Sequence, residues 1–372
     1  MRNFFLFLLF CFPLTIYAQE GLLYESLNYK NSVDNGMRSR DGHPGPEYWQ
    51  NHADYNISIR LDTSDKEIFG SEEITYYNNS PDTLPLLVLR LYPNRYKKGA
   101  VRNMGINPGN IHEGVELDTL FINDTSFVVP GANRRTIYFG TNLLIFLEDP
   151  LLPDNKIKLR CNWNYRIPTE ADERRQGYFA DNMWFIGYFY PQVAVYDDLE
   201  KFYNIKGWDF RLVHLGAQEF YNDFNNYKVS IEVPDGFYVW ATGTQTNPEE
   251  VYSDDFFKRV QEARSKDTLV HLLKYDTLEN NNLRANTWKF EARKVPDFAF
   301  GTASNCIWDA SNIKINDRRV SIDAVYHPES DNFPMVIHEA KKTLEYLRPR
   351  LFVHAAAIIL HHISHGPAFG FV

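Results

Sequence analysis

Apolar and polar residues alternate along much of the chain, with the period of two that is typical of half-buried strands. In residues 54–62, for example, Tyr55, Ile57, Ile59 and Leu61 fall on one face. The same pattern predicts strands within 66–79, 84–93, 114–123, 135–140, 156–165, 227–243, 267–277, 286–295, 297–304 and 319–328. Turn residues separate these runs and few helical patterns interrupt them. This favours a mainly β fold, either an antiparallel β-sandwich or a saddle-like sheet assembly, with a short helical C-terminal segment.

Two segments carry the helical spacing of about 100° per residue instead. Ser253 is a suitable N-cap for the first helix, in which Phe256 and Val260 belong to an apolar stripe. The second helix is predicted over residues 333–348. Its buried stripe is predicted to contain Phe333, Val336, Ile337, Ala340, Leu344, Leu347 and Leu351.

The second helix contains part of a zinc-binding motif, because His338-Glu339 is followed by Lys342 where H-E-x-x-H has its second histidine. That motif requires two imidazoles one turn apart on one face, and a protonated lysine has no lone pair to donate. His338, Lys341, Lys342 and Glu345 fall opposite the apolar stripe. We therefore interpret this segment as the charged outer face of an amphipathic helix and assign no metal site to it.

The first 18 residues have the parts of a signal peptide. Arg2 supplies the positive charge, an apolar run follows from Phe4 to Leu14, and Ala18 is a small residue at the expected cleavage point. The apolar run is too short to span a bilayer, so we predict an exported protein, periplasmic or extracellular. We divide the chain into a signal peptide (1–18), a polar lead-in (19–52), a β-domain (53–330) and a helix with an atypical tail (331–372).

Composition narrows the functional classes. The net charge of −9 and the dispersed lysines argue against a nucleic-acid partner. No segment after the signal peptide is long and apolar enough to cross a bilayer. The mature chain keeps two cysteines, Cys161 and Cys306, which either pair or remain free.

A few side chains could carry chemistry. Asp197 and Asp198 could form an acid–base pair, but neighbours in a strand point to opposite faces, which favours carboxylates in a loop or turn. Glu219 could lie beside a cleft, although a cap or surface carboxylate is the commoner role. Four aromatic residues either form a platform for a sugar or peptide or belong to strand cores, which is commoner: Trp184, Tyr190, Tyr196 and Trp208.

The last 27 residues contain no Asp or Glu but four of the eleven histidines. His361 and His365 have i, i+4 spacing, with His362 nearby, yet no acidic third ligand accompanies them and Pro367 limits the helix. We expect adventitious metal binding there at most. An altered reading frame or a premature stop would also explain the change in composition.

Five stretches are more specific than the strand pattern. They are IFGSEEITYYNNSPDTLPLLVLRLYPNRY (68–96), WFIGYFYPQVAVYDD (184–198), GWDF (207–210), QEFYNDFNNYKVSIEVPDGFYVWATGT (218–244) and VPDFAFGTAS (295–304). In this order they resemble the amino-terminal region of the aminopeptidase N and leukotriene hydrolase family of zinc metallopeptidases (gluzincins), above all its secreted bacterial branch. The resemblance covers about residues 50–348.

The resemblance implies an extended β-domain beside a thermolysin-like catalytic domain, with the 333–348 helix leading into the latter. A Gly-x-Met-Glu strand, H-E-x-x-H, a third ligand glutamate and an oxyanion-stabilising tyrosine would follow. None of these motifs occurs before Val372, so no catalytic, cofactor-binding or metal residue is assigned in this chain. The family also implies a glutamine ahead of Tyr190-Pro191, where this sequence has Tyr188-Phe189.

We therefore predict the β-rich portion of an exported aminopeptidase N-like zinc peptidase, truncated before the catalytic motifs and inactive as this chain. Zinc and peptide substrates are expected only for a full-length relative. The alternative is a complete, non-catalytic secreted β-module that binds peptide or glycan. A diverged enzyme that uses its own histidines is a third interpretation. An apolar face left uncovered by a missing domain would promote self-association.

Overall fold

The computed structural model describes residues 25–102, 105–123, 125–128, 134–169, 175–179, 181–201, 205–212, 221–275, 282–315 and 318–347. The predicted signal peptide, Glu219 and the histidines of the tail lie outside these residues. What we expect of them therefore stays a prediction. Among the residues described, no helix combines the length and the apolar character needed to cross a bilayer.

The described chain is mainly β, which confirms the predicted fold class. The strands are β1 (His52–Asp62), β2 (Glu67–Tyr77), β3 (Leu84–Arg90), β4 (Glu116–Ile122), β5 (Thr125–Val128), β6 (Thr136–Phe139), β7 (Asn142–Leu151), β8 (Lys156–Arg166), β9 (Gln176–Phe179), β10 (Met183–Ile186), β11 (Gln192–Val193), β12 (Tyr196–Lys201), β13 (Ile205–Trp208), β14 (Asn225–Glu232), β15 (Tyr238–Ala241), β16 (Thr244–Gln245), β17 (Val270–Leu273), β18 (Thr287–Val295), β19 (Phe300–Ala303), β20 (Ile307–Ile315) and β21 (Arg318–Tyr326). The helices are α1 (Leu27–Asp34), α2 (Pro248–Val251), α3 (Asp254–Ser265) and α4 (Val336–Leu347). Short 3-10 helices cover Tyr92–Tyr96, Pro108–Asn110 and Phe333–Met335.

The largest layer is an eight-stranded sheet in the order β16-β18-β14-β1-β2-β8-β4-β5. Its strands β1 and β14 run parallel, whereas the other strand pairs of the described residues are antiparallel. The predicted alternation holds in β1, where Tyr55, Ile57 and Ile59 are buried while Asn56 and Ser58 are exposed. One contiguous core joins the buried face of this sheet to two four-stranded sheets, β15-β19-β10-β9 and β11-β3-β7-β6.

A glycine allows the closest approach within this core. Gly70 of β2 lies directly opposite Trp163 of β8, and a Cβ at Gly70 would fall 2.2 Å from the indole ring. The indole N–H of Trp163 donates a hydrogen bond to Glu72 Oε2 at 3.2 Å. A larger residue at position 70 would displace the indole, so this interior strand position requires glycine.

The last three strands form a different layer, in the order β17-β20-β21 with a helix on each face. Phe256 and Val260 of α3 share one core with Trp308. On the other face, Ile337 and Leu344 of α4 belong to a separate core that β20 and β21 complete. The predicted amphipathic character of both helices is confirmed, and Ser253 caps α3 by accepting a hydrogen bond from the Phe256 N–H at 3.4 Å.

Three element predictions need correction. The C-terminal α-helix begins at Val336 rather than at residue 333, because a 3-10 turn precedes it. A helix that the sequence pattern did not predict, α1, lies within the polar lead-in. The short helix α2 and nine strands were also missed, namely β5, β7, β9, β10, β11, β12, β13, β16 and β20. In β20 nearly every side chain is buried, so the polar positions that mark a period of two do not face solvent there.

Candidate functional site

A group of hydrogen-bonded polar side chains surrounds Tyr190, in the connection between β10 and β11. The Tyr190 hydroxyl donates to Asp297 Oδ1 at 2.7 Å and lies 2.9 Å from the Tyr227 hydroxyl. Gln192 Nε2 donates to the same Tyr190 oxygen at 3.2 Å. The Phe298 N–H donates to Asp297 Oδ1 at 2.8 Å. We call Tyr190, Gln192, Tyr227 and Asp297 the tyrosine–aspartate cluster.

The sheets hold this cluster in place. Tyr227 belongs to β14, Gln192 begins β11, and Asp297 lies between β18 and β19. Tyr55 of β1 stacks on Tyr227 with ring centroids 5.0 Å apart, and meets Tyr190 edge-on at 5.4 Å. Because two strands and two connecting segments contribute to it and β1 packs against it, the arrangement depends on tertiary structure.

Burial determines the electrostatics of the cluster. It raises the pKa of Asp297 to about 7, although the hydrogen bonds from Tyr190 and from the Phe298 N–H oppose the shift. Burial also raises the pKa values of the Tyr190 and Tyr227 hydroxyls well above their usual range. Asp297 can therefore gain or lose a proton near neutral pH while both phenols stay neutral. A carboxyl group tuned in this way is suited to general acid–base chemistry.

A buried ion pair links β3 to the segment that follows β13. Arg90 Nη2 lies 2.5 Å from Asp209 Oδ2, and both side chains are only 1 % exposed. Arg90 Nη1 also donates to the Tyr221 carbonyl oxygen at 2.7 Å and to Tyr92 Oη at 3.2 Å. A buried charge pair requires such additional hydrogen bonds to offset the loss of hydration. Removing either partner would leave an uncompensated charge in the core.

Tyr188 has a strained backbone. Its φ of 52° lies in the left-handed region, which is unusual for a bulky residue. The buried Tyr188 ring packs against Tyr92 with centroids 4.7 Å apart. Backbone strain of this kind concentrates at functional sites.

Asp197 and Asp198 lie in β12 rather than in a loop or turn, so their predicted location was wrong, and their side chains converge on one group. Arg38 Nη2 lies 2.9 Å from Asp197 Oδ2 and 3.8 Å from Asp198 Oδ1. The register of β12 with β13 shifts between Tyr196 and Glu200, which interrupts the alternation of side chains. This irregularity lets two neighbouring carboxylates converge on one guanidinium group.

The converging carboxylates hold the lead-in segment on β12. The Ser32 hydroxyl of α1 donates to Asp198 Oδ2, and the Tyr221 hydroxyl donates to Asp197 Oδ2. Burial, together with the neighbouring Asp197 carboxylate, raises the pKa of Asp198 to about 6. Both acids are thus engaged with protein groups, and the arrangement favours a structural attachment over the acid–base pair considered from the sequence.

The proposed aromatic platform is not exposed. Trp184, Trp208, Tyr190 and Tyr196 are between 1 % and 6 % exposed, which confirms the strand-core interpretation and contradicts the platform. Their rings contact other core aromatics, as in the edge-on pair of Tyr196 and Trp208 at 5.2 Å. These four residues therefore stabilise the core and leave no surface for a ligand to stack on.

The helix with the partial zinc motif has the predicted outer face. His338 and Lys342 are exposed, and Lys342 Nζ lies 3.2 Å from Glu339 Oε1 one turn earlier. Lys341 is the exception, since it is half-buried and its ammonium group donates to the Asp267 carbonyl oxygen. Across the described ranges, no group of three or more His, Cys, Asp or Glu side chains could hold a metal ion.

The cysteines are unpaired. Cys161 and Cys306 are both buried free thiols, which answers the question that the sequence left open. Burial raises the pKa of each thiol, that of Cys306 to about 12. Thiolate is the reactive form, so neither residue is suited to nucleophilic chemistry.

Sequence reasoning missed the buried charged and titratable groups of the site. Neither Asp297 nor the Arg90–Asp209 pair was a candidate, and Tyr190 was considered only as an aromatic surface. One local signal could have found Asp297, because an acidic residue after Pro296 at a strand junction interrupts an otherwise apolar run. No local signal identifies Arg90, because its partners Asp209 and Tyr221 lie 119 and 131 positions away.

Comparisons with known proteins give weak structural similarity only. No family model matches the chain, and no curated protein matches it. The M1 zinc metallopeptidase from Deinococcus radiodurans is similar with a TM-score of 0.45 and 11 % identity over 87 % of this chain and 59 % of that one. A two-domain M1 zinc metallopeptidase mutant bound to L-tryptophan is similar with a TM-score of 0.45 and 12 % identity. That match covers 87 % of this chain and 60 % of the other. The chain thus spans about three fifths of the length of these structures, and similarity at this level carries no functional conclusion.

Proposed function

We propose that this chain is the β-rich amino-terminal portion of an exported aminopeptidase N-like zinc peptidase. The observation that carries the proposal is the layer β17-β20-β21, with α3 on one face and α4 on the other. This layer is antiparallel, and its cover of helices on both faces distinguishes it from the sheet-on-sheet packing of the rest of the chain. The resemblance leads us to expect a helix at the position of α4 that leads into a catalytic domain.

The outer edge of β21 supports the same proposal. The strand runs for nine residues, from Arg318 to Tyr326, and within the described part of the chain it pairs with β20 alone. Long edge strands are normally shortened, covered or paired, because their free N–H and C=O groups attract other strands. The resemblance implies that a strand follows the helix corresponding to α4. An open edge beside α4 offers that strand a partner.

The catalytic machinery belongs, in this proposal, to sequence that this chain does not contain. The 372 residues include no H-E-x-x-H and no Gly-x-Met-Glu motif. A zinc peptidase needs three protein ligands and an open position for the water that the metal activates. The tyrosine–aspartate cluster supplies a proton-exchanging group but no metal ligands. Zinc and peptide substrates are therefore proposed for the full-length enzyme.

The gene sequence tests this proposal directly. Reading past codon 372 in all three frames should reveal Gly-x-Met-Glu followed by H-E-x-x-H. Unrelated sequence in every frame would favour the complete binding module instead. The outcome is independent of whether the isolated chain folds well.

Metal content gives a second test on the protein itself. The purified chain, without a histidine tag, should carry substoichiometric zinc and show no chelator-sensitive cleavage of amino-acid anilides. If weak zinc binding is found, replacing His361 and His365 by alanine should abolish it, whereas the matched control His338→Ala should not change it. A zinc-saturated chain whose peptidase activity is lost to chelator would overturn the proposal.

A further inference from the structure

The solvent face of the eight-stranded sheet carries a line of short polar side chains. Ser58 of β1 lies opposite Ser230 of β14 on one side and opposite Ser71 of β2 on the other. Ser71 in turn lies opposite Asn162 of β8. Side chains with this register point to one face of the sheet. Together they form a polar floor that crosses four neighbouring strands.

Longer side chains stand on both sides of this floor. On one side, Glu73 lies opposite Arg160, which in turn lies opposite Phe121. On the other side, the Arg60 guanidinium lies 4.2 Å above the ring of Phe69. The short side chains of the floor lie between two rows of longer side chains, which leaves a trough. The structure contains a cavity of about 310 Å³ at this place.

The lining of this cavity is polar. It contains two serine hydroxyls, two asparagine amides, two carboxyl groups and a guanidinium group, from Asn56, Ser58, Ser71, Glu72, Glu73, Arg160 and Asn162. Phe121 provides an aromatic ring in the same lining. Amides, carboxylates and guanidinium groups donate or accept hydrogen bonds in pairs, and hydroxyls do both. Cavities for apolar molecules are instead lined mainly by hydrophobic side chains.

We propose that this trough, which we call the sheet trough, binds a neutral carbohydrate chain. The Glu73 carboxylate and the Arg160 guanidinium group balance each other in charge, and burial raises the pKa of Glu72 well above its usual range, which favours its neutral form. This balance disfavours a strongly charged ligand. A sugar ring presents hydroxyl groups at its rim and C–H groups on its face. The rim matches the serine and asparagine side chains, and the face matches the ring of Phe121. The trough is open along the floor, so a linear oligosaccharide lies across the strands.

The position of the trough disfavours a peptide ligand. Peptides commonly bind sheets by adding a strand at an edge, whereas β1, β2 and β8 are interior strands of this sheet. Their backbone groups are already used in the sheet ladder. Recognition must therefore come from side chains. This inference does not depend on the proposed peptidase relationship, since the sheet trough lies on the opposite face of the sheet from the tyrosine–aspartate cluster's Tyr227.

Calorimetric titration of the full chain tests the inference. The probes are cellohexaose, xylohexaose, maltohexaose and chitohexaose, with hexa-alanine as the peptide control. At least one of the saccharides should bind, and hexa-alanine should not compete with it. Asn162→Ala should weaken that binding about fivefold, because one hydrogen bond contributes roughly 1 kcal/mol.

Two matched tryptophan variants locate the site. Ser71→Trp should fill the trough and abolish saccharide binding. Thr75→Trp places the same side chain on the same face of β2, about 13 Å away and outside the cavity lining, and should bind as the native chain does. Circular dichroism of both variants checks that they fold. Absence of binding by all four saccharides, equal loss in the two variants, or competition by hexa-alanine would each overturn the inference.

Discussion

The eight-stranded sheet and the three-stranded layer at the C-terminal end differ in how many of their faces are covered by other elements. The first exposes one face to solvent, so its strands alternate strictly, as β1 does with Ile57 buried and Ser58 exposed. The second is covered on both faces by α3 and α4, and in β20 polar residues such as Asn312 are buried together with apolar ones. The periodic pattern is therefore lost in β20, whereas β21 at the edge of the same layer keeps it.

The difference also determines where polar groups can be used. The exposed face of the eight-stranded sheet carries a continuous polar surface, including the sheet trough. In the three-stranded layer, polar side chains lie inside and must find partners, as Asp309 does by accepting from the Tyr326 hydroxyl at 2.7 Å. In the eight-stranded sheet, the effect of a substitution on stability should therefore depend on the face that the side chain occupies. In the three-stranded layer, it should depend on which side of the covering helix the side chain occupies.

The largest expected effect is in the three-stranded layer. Leu344→Asp buries a charge in the core between α4 and β21, and we expect a loss of about 4 kcal/mol in the free energy of unfolding. The matched control Lys342→Glu changes a charge on the exposed side of the same helix and should cost less than about 0.5 kcal/mol. Urea denaturation measures both. Equal losses would refute the assignment of the buried stripe.

A smaller effect is expected from the alternating sheet. Ile57→Ala removes a fully buried side chain of β1 and should cost about 3 kcal/mol through lost burial and a residual cavity. Its neighbour Ser58 faces solvent, so Ser58→Ala should change the free energy of unfolding by less than about 0.5 kcal/mol. The difference in stability loss between these two adjacent positions tests whether only one face of the sheet is buried. If Ser58→Ala were as costly as Ile57→Ala, the sheet would be buried on both faces.

The smallest effect concerns Asp297, and it depends on pH. Burial raises the pKa of this carboxyl to about 7, above the value of about 3.9 in an unfolded chain, so the fold favours the protonated form. Its contribution to stability is complete below about pH 4 and is lost as the pH rises through about 7. Asp297→Asn cannot ionise and should flatten the stability profile between pH 5 and 8 by on the order of 2 kcal/mol.

The control for this profile is an exposed aspartate in the turn between β1 and β2. Asp65→Asn should leave the pH dependence of urea denaturation unchanged. An unchanged profile in Asp297→Asn would show that this carboxyl ionises in the fold as it does in water, and would remove the basis for an acid–base role of the tyrosine–aspartate cluster.

Much of the fold could be predicted from local pattern, and little of the site. Alternation placed β1, β2 and β8 correctly, and helical spacing placed Ile337, Ala340 and Leu344 on the buried side of α4. Asp197 and Asp198 were expected in a loop or turn because a regular strand would separate their side chains, whereas they lie in β12 and a register shift turns both carboxylates towards Arg38. Irregularities of this kind depend on the partner strand and leave no periodic trace.

The sequence alone determined which residues avoid water, because burial of apolar side chains follows from composition and period. It therefore determined the fold class, the two amphipathic helices and the absence of the H-E-x-x-H motif from these 372 residues. Only the tertiary structure decided which polar groups meet. Tyr190 reaches Asp297 across 107 positions and Arg90 reaches Asp209 across 119. The strength of these contacts comes from burial by residues far away in the chain, and that burial exists only once the sheets have packed.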